Sequence, residues 1–130
     1  MEFLVVYIRE AHALDGAMPM GGKGAPLVEE PLSIEERREV ARACSGALDM
    51  SPLRMLIDDM KDTACKAYAA WPDRLYLVGV DGLVAFAGAR GPRGFQPDAL
   101  EDAIRVELGL PPLPRKPDED PEREGGRERR

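Results

Sequence analysis

Hydrophobic and polar positions form a small number of distinct patterns along the chain. The run FLVVYI (Phe3–Ile8) is apolar and rich in β-branched and aromatic residues, which is typical of a strand buried on both faces. A long loop rich in glycine and proline follows over residues 16–31. Ser33 and Glu36 then have the spacing of a capping box, and apolar residues recur at helical intervals as far as Leu48. We therefore predict a helix over about residues 34–48.

The second half of the chain shows shorter patterns. We predict a short strand over Met55–Ile57 that ends at Asp58 and Asp59, and a short helix over DTACKAYAAW. In RLYLVGVDGLVAFAG, two apolar runs flank an Asp-Gly pair, which favours the tight turn of a β-hairpin. Residues 98–108 form an amphipathic pattern, so we predict a last helix that is capped near Pro97-Asp98.

This order of elements, β-α-β-α-β-β-α, predicts an α/β fold in which a mixed sheet is flanked by helices. It is the later part of a thioredoxin-like fold, truncated at its N-terminus, since one strand and one helix would precede Phe3 in that fold. We predict a domain over residues 1–110 and a disordered tail over residues 111–130. Residues 115–130 carry twelve charges, six of each sign, and no apolar side chain, so they cannot offset their ordering entropy by burial.

Composition and charge exclude several classes of protein. The formal net charge of −6 argues against nucleic-acid binding, which needs a basic surface. No apolar run approaches the roughly 20 residues that cross a bilayer, and the N-terminus lacks a signal-peptide pattern, so we expect a cytoplasmic protein unless an upstream segment carries an anchor. Two cysteines and one histidine do not make up a usual structural zinc set, so we expect no metal.

Five blocks carry a resemblance to a known family: YIREAHALDG, PLSIEERREVARAC, LIDDM, KAYAAWPDRLYLVG and GARGPRGFQPDAL. They resemble the iodothyronine deiodinase family, especially its bacterial members, over about Phe3 to Leu108. The resemblance implies a thioredoxin-fold oxidoreductase that removes iodide reductively from an aromatic ring. It also implies a selenolate or thiolate that takes the halogen, an external thiol as reductant, and no bound cofactor.

The same resemblance implies roles for four residues. Glu10 and His12 match family residues that contact substrate or supply a proton near the nucleophile, and an imidazole titrates in the range that such a role needs. Arg90 would hold a carboxylate of the substrate, and Pro72 matches the cis-proline beside thioredoxin-fold active sites. The plainer alternatives stay open: a lone histidine in a loop is more often a surface residue, and Arg90 is as easily explained as part of a glycine-rich loop.

The nucleophile of the family is absent from this sequence. It belongs in a Gly-Ser-Cys-Thr-like context upstream of Phe3, and neither Cys44 nor Cys65 matches that context; both are predicted as core residues. Our hypothesis is that the catalytic residue is a selenocysteine whose UGA codon is read as a stop, so that the chain is started at Met1 and is inactive alone.

The alternatives are a generic thioredoxin- or peroxiredoxin-like thiol oxidoreductase and a non-catalytic fragment that acts as a binding module. A fragment of this kind would leave the Phe3–Ile8 edge unpaired, and a homodimer paired through that edge is a further expectation.

Overall fold

The computed structural model describes residues 1–19 and 26–114. Its elements follow the predicted order: β1 (Leu4–Tyr7), α1 (Ile34–Ala47), β2 (Arg54–Ile57), α2 (Thr63–Ala67), β3 (Tyr76–Val78), β4 (Val84–Ala87) and α3 (Pro97–Glu107). Of the tail predicted over residues 111–130, residues 115–130 lie outside the described residues. None of the described helices is long and apolar enough to cross a membrane.

The four described strands form two separate sheets. β1 and β2 pair in parallel with Leu4 opposite Arg54, and β3 and β4 pair antiparallel with Leu77 opposite Phe86. The mixed α/β class is therefore confirmed. A single continuous sheet is not observed among these strands, because no ladder hydrogen bonds join β1 to β3, so the thioredoxin-like arrangement stays a prediction.

The prediction that the first strand is buried on both faces is wrong for the described residues. Leu4 and Val6 are 49% and 44% exposed, whereas Val5 and Tyr7 on the opposite face are half-buried. The faces of a strand are covered by helices or by another sheet rather than by the strand beside it, and the face that carries Leu4 and Val6 is left uncovered by the described residues. A run of apolar residues therefore identified the strand correctly but not its environment.

Helix α1 begins as its sequence predicts. Ser33 accepts the Glu36 N–H through its hydroxyl at 3.2 Å, and the Glu36 carboxylate accepts the N–H of Leu32 at 2.7 Å. The reciprocal bond thus goes to the residue before the cap, and the two bonds together satisfy donors that the helix itself leaves free. The buried side chains of this helix belong to Arg37 and Ala41.

The hairpin and the last helix form the second unit of the fold. Gly82 has φ +79° at the turn, a conformation that favours glycine, and its N–H donates to the Gly79 carbonyl at 3.0 Å. Helix α3 packs against both β3 and β4. It begins at Pro97, one residue before the predicted start, because Gln96 occupies the cap and a proline fits the first helical position.

Candidate functional site

A cavity of about 540 Å³ lies where the loop after β1 meets the loop before α1 and the segment after β2. Its lining combines charged and apolar side chains. The charged ones are Arg9, Glu10, Asp15, Glu30, Arg37 and Asp62, and the apolar wall includes Met18, Met60 and Trp71. A partly apolar pocket with a few convergent polar groups is the usual form of a small-molecule site.

Glu10 is fixed at this wall through its side chain and its backbone. The Tyr7 hydroxyl donates to Glu10 Oε1, and the Glu10 N–H donates to Glu30 Oε2 at 3.0 Å. The Glu10 carbonyl accepts from the Trp71 indole N–H at 3.4 Å. Glu10 therefore connects β1, the loop before α1 and the segment that leads into the hairpin.

The environment of Glu10 favours its protonated form. Burial raises the pKa of the Glu10 carboxyl above its ordinary value of 4.5, and the nearby Glu30 carboxylate raises it further. The cations of His12 and Arg37 oppose this shift without cancelling it. A carboxyl group with a raised pKa is suited to donate a proton nearer to neutral pH.

His12 lies close to Glu10 but does not line the cavity. Its Nδ1 is 3.0 Å from the Met18 carbonyl oxygen. Because a carbonyl only accepts, this contact puts the proton of a neutral ring on Nδ1 and leaves Nε2 as the acceptor. Of this predicted pair, Glu10 lines the cavity and His12 does not, although the charge of His12 acts on the Glu10 carboxyl.

Arg37 is one of the polar residues of this site that sequence reasoning missed. It is 2% exposed, and its guanidinium donates to the Asp59 carbonyl at 2.7 Å and pairs with Asp62 at 3.2 Å and Glu30 at 3.6 Å. One signal was available: Arg37 stands three residues after Ile34, on the same helical stripe as Ala41. A charge on a buried stripe indicates a buried partner.

The carboxylates after β2 organise the start of α2. Asp58 is buried and accepts the N–H groups of Ala64 and Cys65 at 2.9 Å each. Asp59 accepts the Thr63 N–H at 3.1 Å and the Thr63 hydroxyl at 2.7 Å, and the Thr63 bonds are the main reason that its pKa is lowered. These two carboxylates satisfy free donors of the first turn, which is a structural role.

Neither cysteine is arranged as a nucleophile. Burial raises the pKa of the Cys44 thiol, and the Glu10 carboxylate raises it further, so the reactive thiolate is scarce at neutral pH. Cys65 is buried, as its prediction as a core residue requires, whereas Cys44 is only half-buried. Within the described residues, no group of three or more His, Cys, Asp or Glu side chains is placed to hold a metal ion.

Arg90 lines a second cavity of about 220 Å³. Arg9, Asp62 and Trp71 line both cavities, which are therefore neighbours. Arg9 stacks over the Trp71 ring at 5.2 Å. No ion pair among the described residues uses Arg9 or Arg90. With Lys66 and the Asp62 carboxylate, the lining holds three cations and one anion, so its net charge is positive.

Two proline segments border the second cavity. The Trp71–Pro72 and Gly91–Pro92 peptide bonds are both cis, and the Gly91 N–H donates to the Asp73 carbonyl at 3.0 Å. Pro72 thus follows the tryptophan that lines both cavities, and the loop of Arg90 is bonded to the residue after Pro72.

Comparisons with known proteins agree on one family. The sequence model of the iodothyronine deiodinase family matches residues 1–106. The chain is similar to the thyroxine 5-deiodinase of Sus scrofa, with 33% identity over 101 residues that cover 77% of this chain and 31% of that protein. It is similar to the thyroxine 5-deiodinase of Homo sapiens, with 31% identity over 100 residues that cover 77% of this chain and 31% of that protein. The chain thus spans about a third of the length of the curated relatives that it matches.

Proposed function

The chain belongs to the iodothyronine deiodinase family, and we propose that it supplies the proton-donating and substrate-binding part of a reductive deiodination site. The substrate is an iodinated aromatic compound that carries a carboxylate. Glu10 and His12 supply the proton, Arg90 holds the carboxylate, and Pro72 borders the pocket. The observation that carries the proposal is Glu10, a carboxyl with a raised pKa that is fixed at the wall of a cavity of about 540 Å³.

The reaction balances with an external thiol as the reductant. A selenolate or thiolate takes iodine from the ring as the carbon–iodine bond breaks, and the bonding electron pair stays on the ring carbon. A proton then completes the new carbon–hydrogen bond. Two thiols reduce the iodinated nucleophile, so that one aryl iodide and two thiols become one arene, one disulfide, iodide and a proton.

The residues of this chain suit the proton step of that reaction. The pKa of the Glu10 carboxyl, which lies at the cavity wall, is raised toward the range that a proton donor needs, and the neighbouring Tyr7 hydroxyl is bonded to that carboxyl. A positioned general acid contributes roughly 10²–10⁴-fold to a rate.

Arg90 suits the carboxylate of such a substrate. Its guanidinium offers paired donors with the geometry of a carboxylate, and Arg9 adds a second positive charge to the same cavity. This cavity shares Trp71 with the larger one, which supports one molecule that occupies both, with its ring toward Glu10 and its carboxylate toward Arg90.

The proposed reaction needs a nucleophile that the 130 residues of this chain do not supply. The raised pKa of Cys44 and the burial of Cys65 speak against a thiol oxidoreductase that uses the cysteines of this chain alone. The direct test is to sequence the DNA upstream of the Met1 codon and translate it in frame. A cysteine or UGA codon in a Gly-Ser-Cys-Thr-like context supports the proposal, and a frame without one leaves a binding module at most.

Binding is tested with thyroxine, using the quenching of Trp71 fluorescence. Trp71 is the only tryptophan in the chain, and it lines both cavities. We expect Arg90→Met to weaken binding about tenfold, which corresponds to the loss of one charged hydrogen bond. Arg93→Met is the matched control, since it removes the same charge from the same loop outside both cavity linings.

The chemistry is tested on a protein expressed from the reading frame extended upstream to include the nucleophile. The release of iodide in the presence of dithiothreitol is the measurement. We expect Glu10→Gln to lower the rate by about 10²-fold, in line with the loss of a general acid. Equal rates for the Glu10→Gln variant and the parent would overturn the proton role, and equal thyroxine affinities for the two arginine variants would overturn the carboxylate role.

A further inference from the structure

The loop before α1 is attached to the loop after β1 by three hydrogen bonds, and we call its residues 26–31 the returning segment. The Leu14 N–H donates to the Val28 carbonyl at 2.8 Å, and the Glu30 N–H donates to Asp15 Oδ1 at 2.8 Å. The third bond runs from the Glu10 N–H to Glu30 Oε2. Glu30 is therefore held through its backbone while its side chain reaches back to the backbone of Glu10.

The Glu30 carboxylate has two different contacts. One oxygen accepts the Glu10 N–H at 3.0 Å, and the other lies 3.6 Å from the buried guanidinium of Arg37. The rest of the returning segment contains no comparable side chain, since the adjacent Glu29 is exposed and lines neither cavity. Two neighbouring residues of equal charge thus differ sharply in position.

We propose that Glu30 is a positioning residue for Glu10: its carboxylate holds the Glu10 backbone N–H at the cavity wall and brings a second negative charge near the Glu10 carboxyl. This inference rests on the proton-donating role proposed for Glu10. The returning segment thereby affects how easily the Glu10 carboxyl donates a proton, although it contributes no group to the reaction itself.

Other groups face Glu10 from each element around it, and their effects differ in sign. The Glu30 carboxylate disfavours a second negative charge, whereas the cations of Arg37 and His12 favour one. The remaining titratable neighbours are Tyr7, which donates to the carboxyl, and Cys44 on α1. Glu30 is therefore the neighbour whose charge pushes the Glu10 carboxyl toward its protonated form.

The test compares two isosteric variants of the 130-residue chain, Glu30→Gln and Glu29→Gln. Glutamine keeps an oxygen that can accept the Glu10 N–H and removes only the charge. The side-chain carboxyl ¹³C shift of Glu10 is followed by NMR from about pH 3 to 8, the range that spans a shifted carboxyl. We expect Glu30→Gln to lower the pKa of Glu10 and Glu29→Gln to leave it unchanged. An unchanged pKa in Glu30→Gln, or an equal fall in both variants, would overturn the inference.

A second measurement needs no variant and covers the case in which Glu30→Gln does not fold. The amide proton of Glu10 donates to the Glu30 carboxylate, so its chemical shift should follow the titration of Glu30 in the wild-type chain. An amide shift that is insensitive to that titration also overturns the inference. Neither measurement involves dehalogenation: a failed iodide-release assay with the expected titrations would overturn the proposed function and leave the positioning role intact.

Discussion

The two halves of this molecule are held together by different kinds of interaction. In the first half, β1 pairs with β2, and a buried arginine of α1 joins that helix to the segment after β2 and to the loop before α1. In the second half, β3, β4 and α3 are close in sequence and pack directly on one another. The contacts of Arg37 with Asp59 and Asp62 span 22 and 25 positions, and the bond from the Glu10 N–H to Glu30 spans 20. The hairpin turn closes over four residues from Gly79 to Gly82.

This difference explains where the candidate chemistry lies. The first half brings distant titratable groups to one cavity, and their mutual burial shifts the pKa of Glu10. The second half supplies a rigid local frame that presents Arg90. The halves meet at Trp71, which donates to the Glu10 carbonyl and lies under Arg9, so a ligand that contacts both cavities would contact both halves.

The largest expected effect comes from removing the buried charge of the first half. Arg37→Met should destabilise the chain by about 3–5 kcal/mol, because it leaves the carboxylates of Glu30 and Asp62 without their partner. Urea unfolding followed by circular dichroism measures the change. Arg38→Met is the matched control: Arg38 is 52% exposed and pairs with Glu35 at 3.9 Å, and its loss should cost at most about 1 kcal/mol. Equal losses in the two variants would contradict the account of the first half.

The hairpin half should be most sensitive to added volume. A Cβ atom on Gly94 would lie 2.3 Å from the carbonyl carbon of Ala89, which is backbone and cannot rotate away. Gly94→Ala should therefore cost about 1–3 kcal/mol and displace the loop of Arg90. Gly46→Ala in α1 meets nothing within 4 Å and should stabilise the chain by about 0.5–1 kcal/mol. Thermal unfolding shows whether each variant is more or less stable than the wild type. A stabilised Gly94→Ala variant would refute the close approach of Gly94 to Ala89.

The junction between the halves should show a smaller coupling. A double-mutant cycle with Arg9→Met and Trp71→Leu should give a coupling free energy of about 0.5–1 kcal/mol, from the stacking of the guanidinium on the indole ring. The same cycle with Arg93 in place of Arg9 should give none, since Arg93 is not stacked on that ring. Equal coupling in both cycles would mean that Arg9 does not join the halves.

The smallest effect is a pH dependence, which solvent screening of a half-buried group keeps small. The pKa of Glu10 is raised on folding, so its contribution to stability is fully present below the unfolded pKa and is lost as pH rises through the folded one. Glu10→Gln, which stays neutral, should therefore gain stability relative to the wild type as pH rises from about 4 to 8. Glu39→Gln changes an exposed residue of α1, and its stability relative to the wild type should not change with pH. If the stability difference between Glu10→Gln and the wild type also stays constant with pH, the pKa of Glu10 is not raised on folding.

Much of the local structure could be predicted from short-range patterns. Each of these features is specified by residues that are close together in the chain, so the sequence alone is enough to predict it. They are the Ser33 cap, the Asp81-Gly82 turn and the helical stripe of α1. The site could be predicted only in part. Glu10, His12 and Arg90 were predicted through the family blocks, whereas Arg37 and Glu30 were missed because most of their partners are remote in sequence.

The sequence by itself determined the order of the elements, the family and the residue types available for chemistry. Tertiary structure alone decided which face of β1 is exposed, that Arg37 is buried, and that Glu30 lies beside Glu10. The physical reason is that caps, turns and periodicity depend on neighbours within about one turn. Burial and pKa depend instead on what the rest of the chain packs nearby.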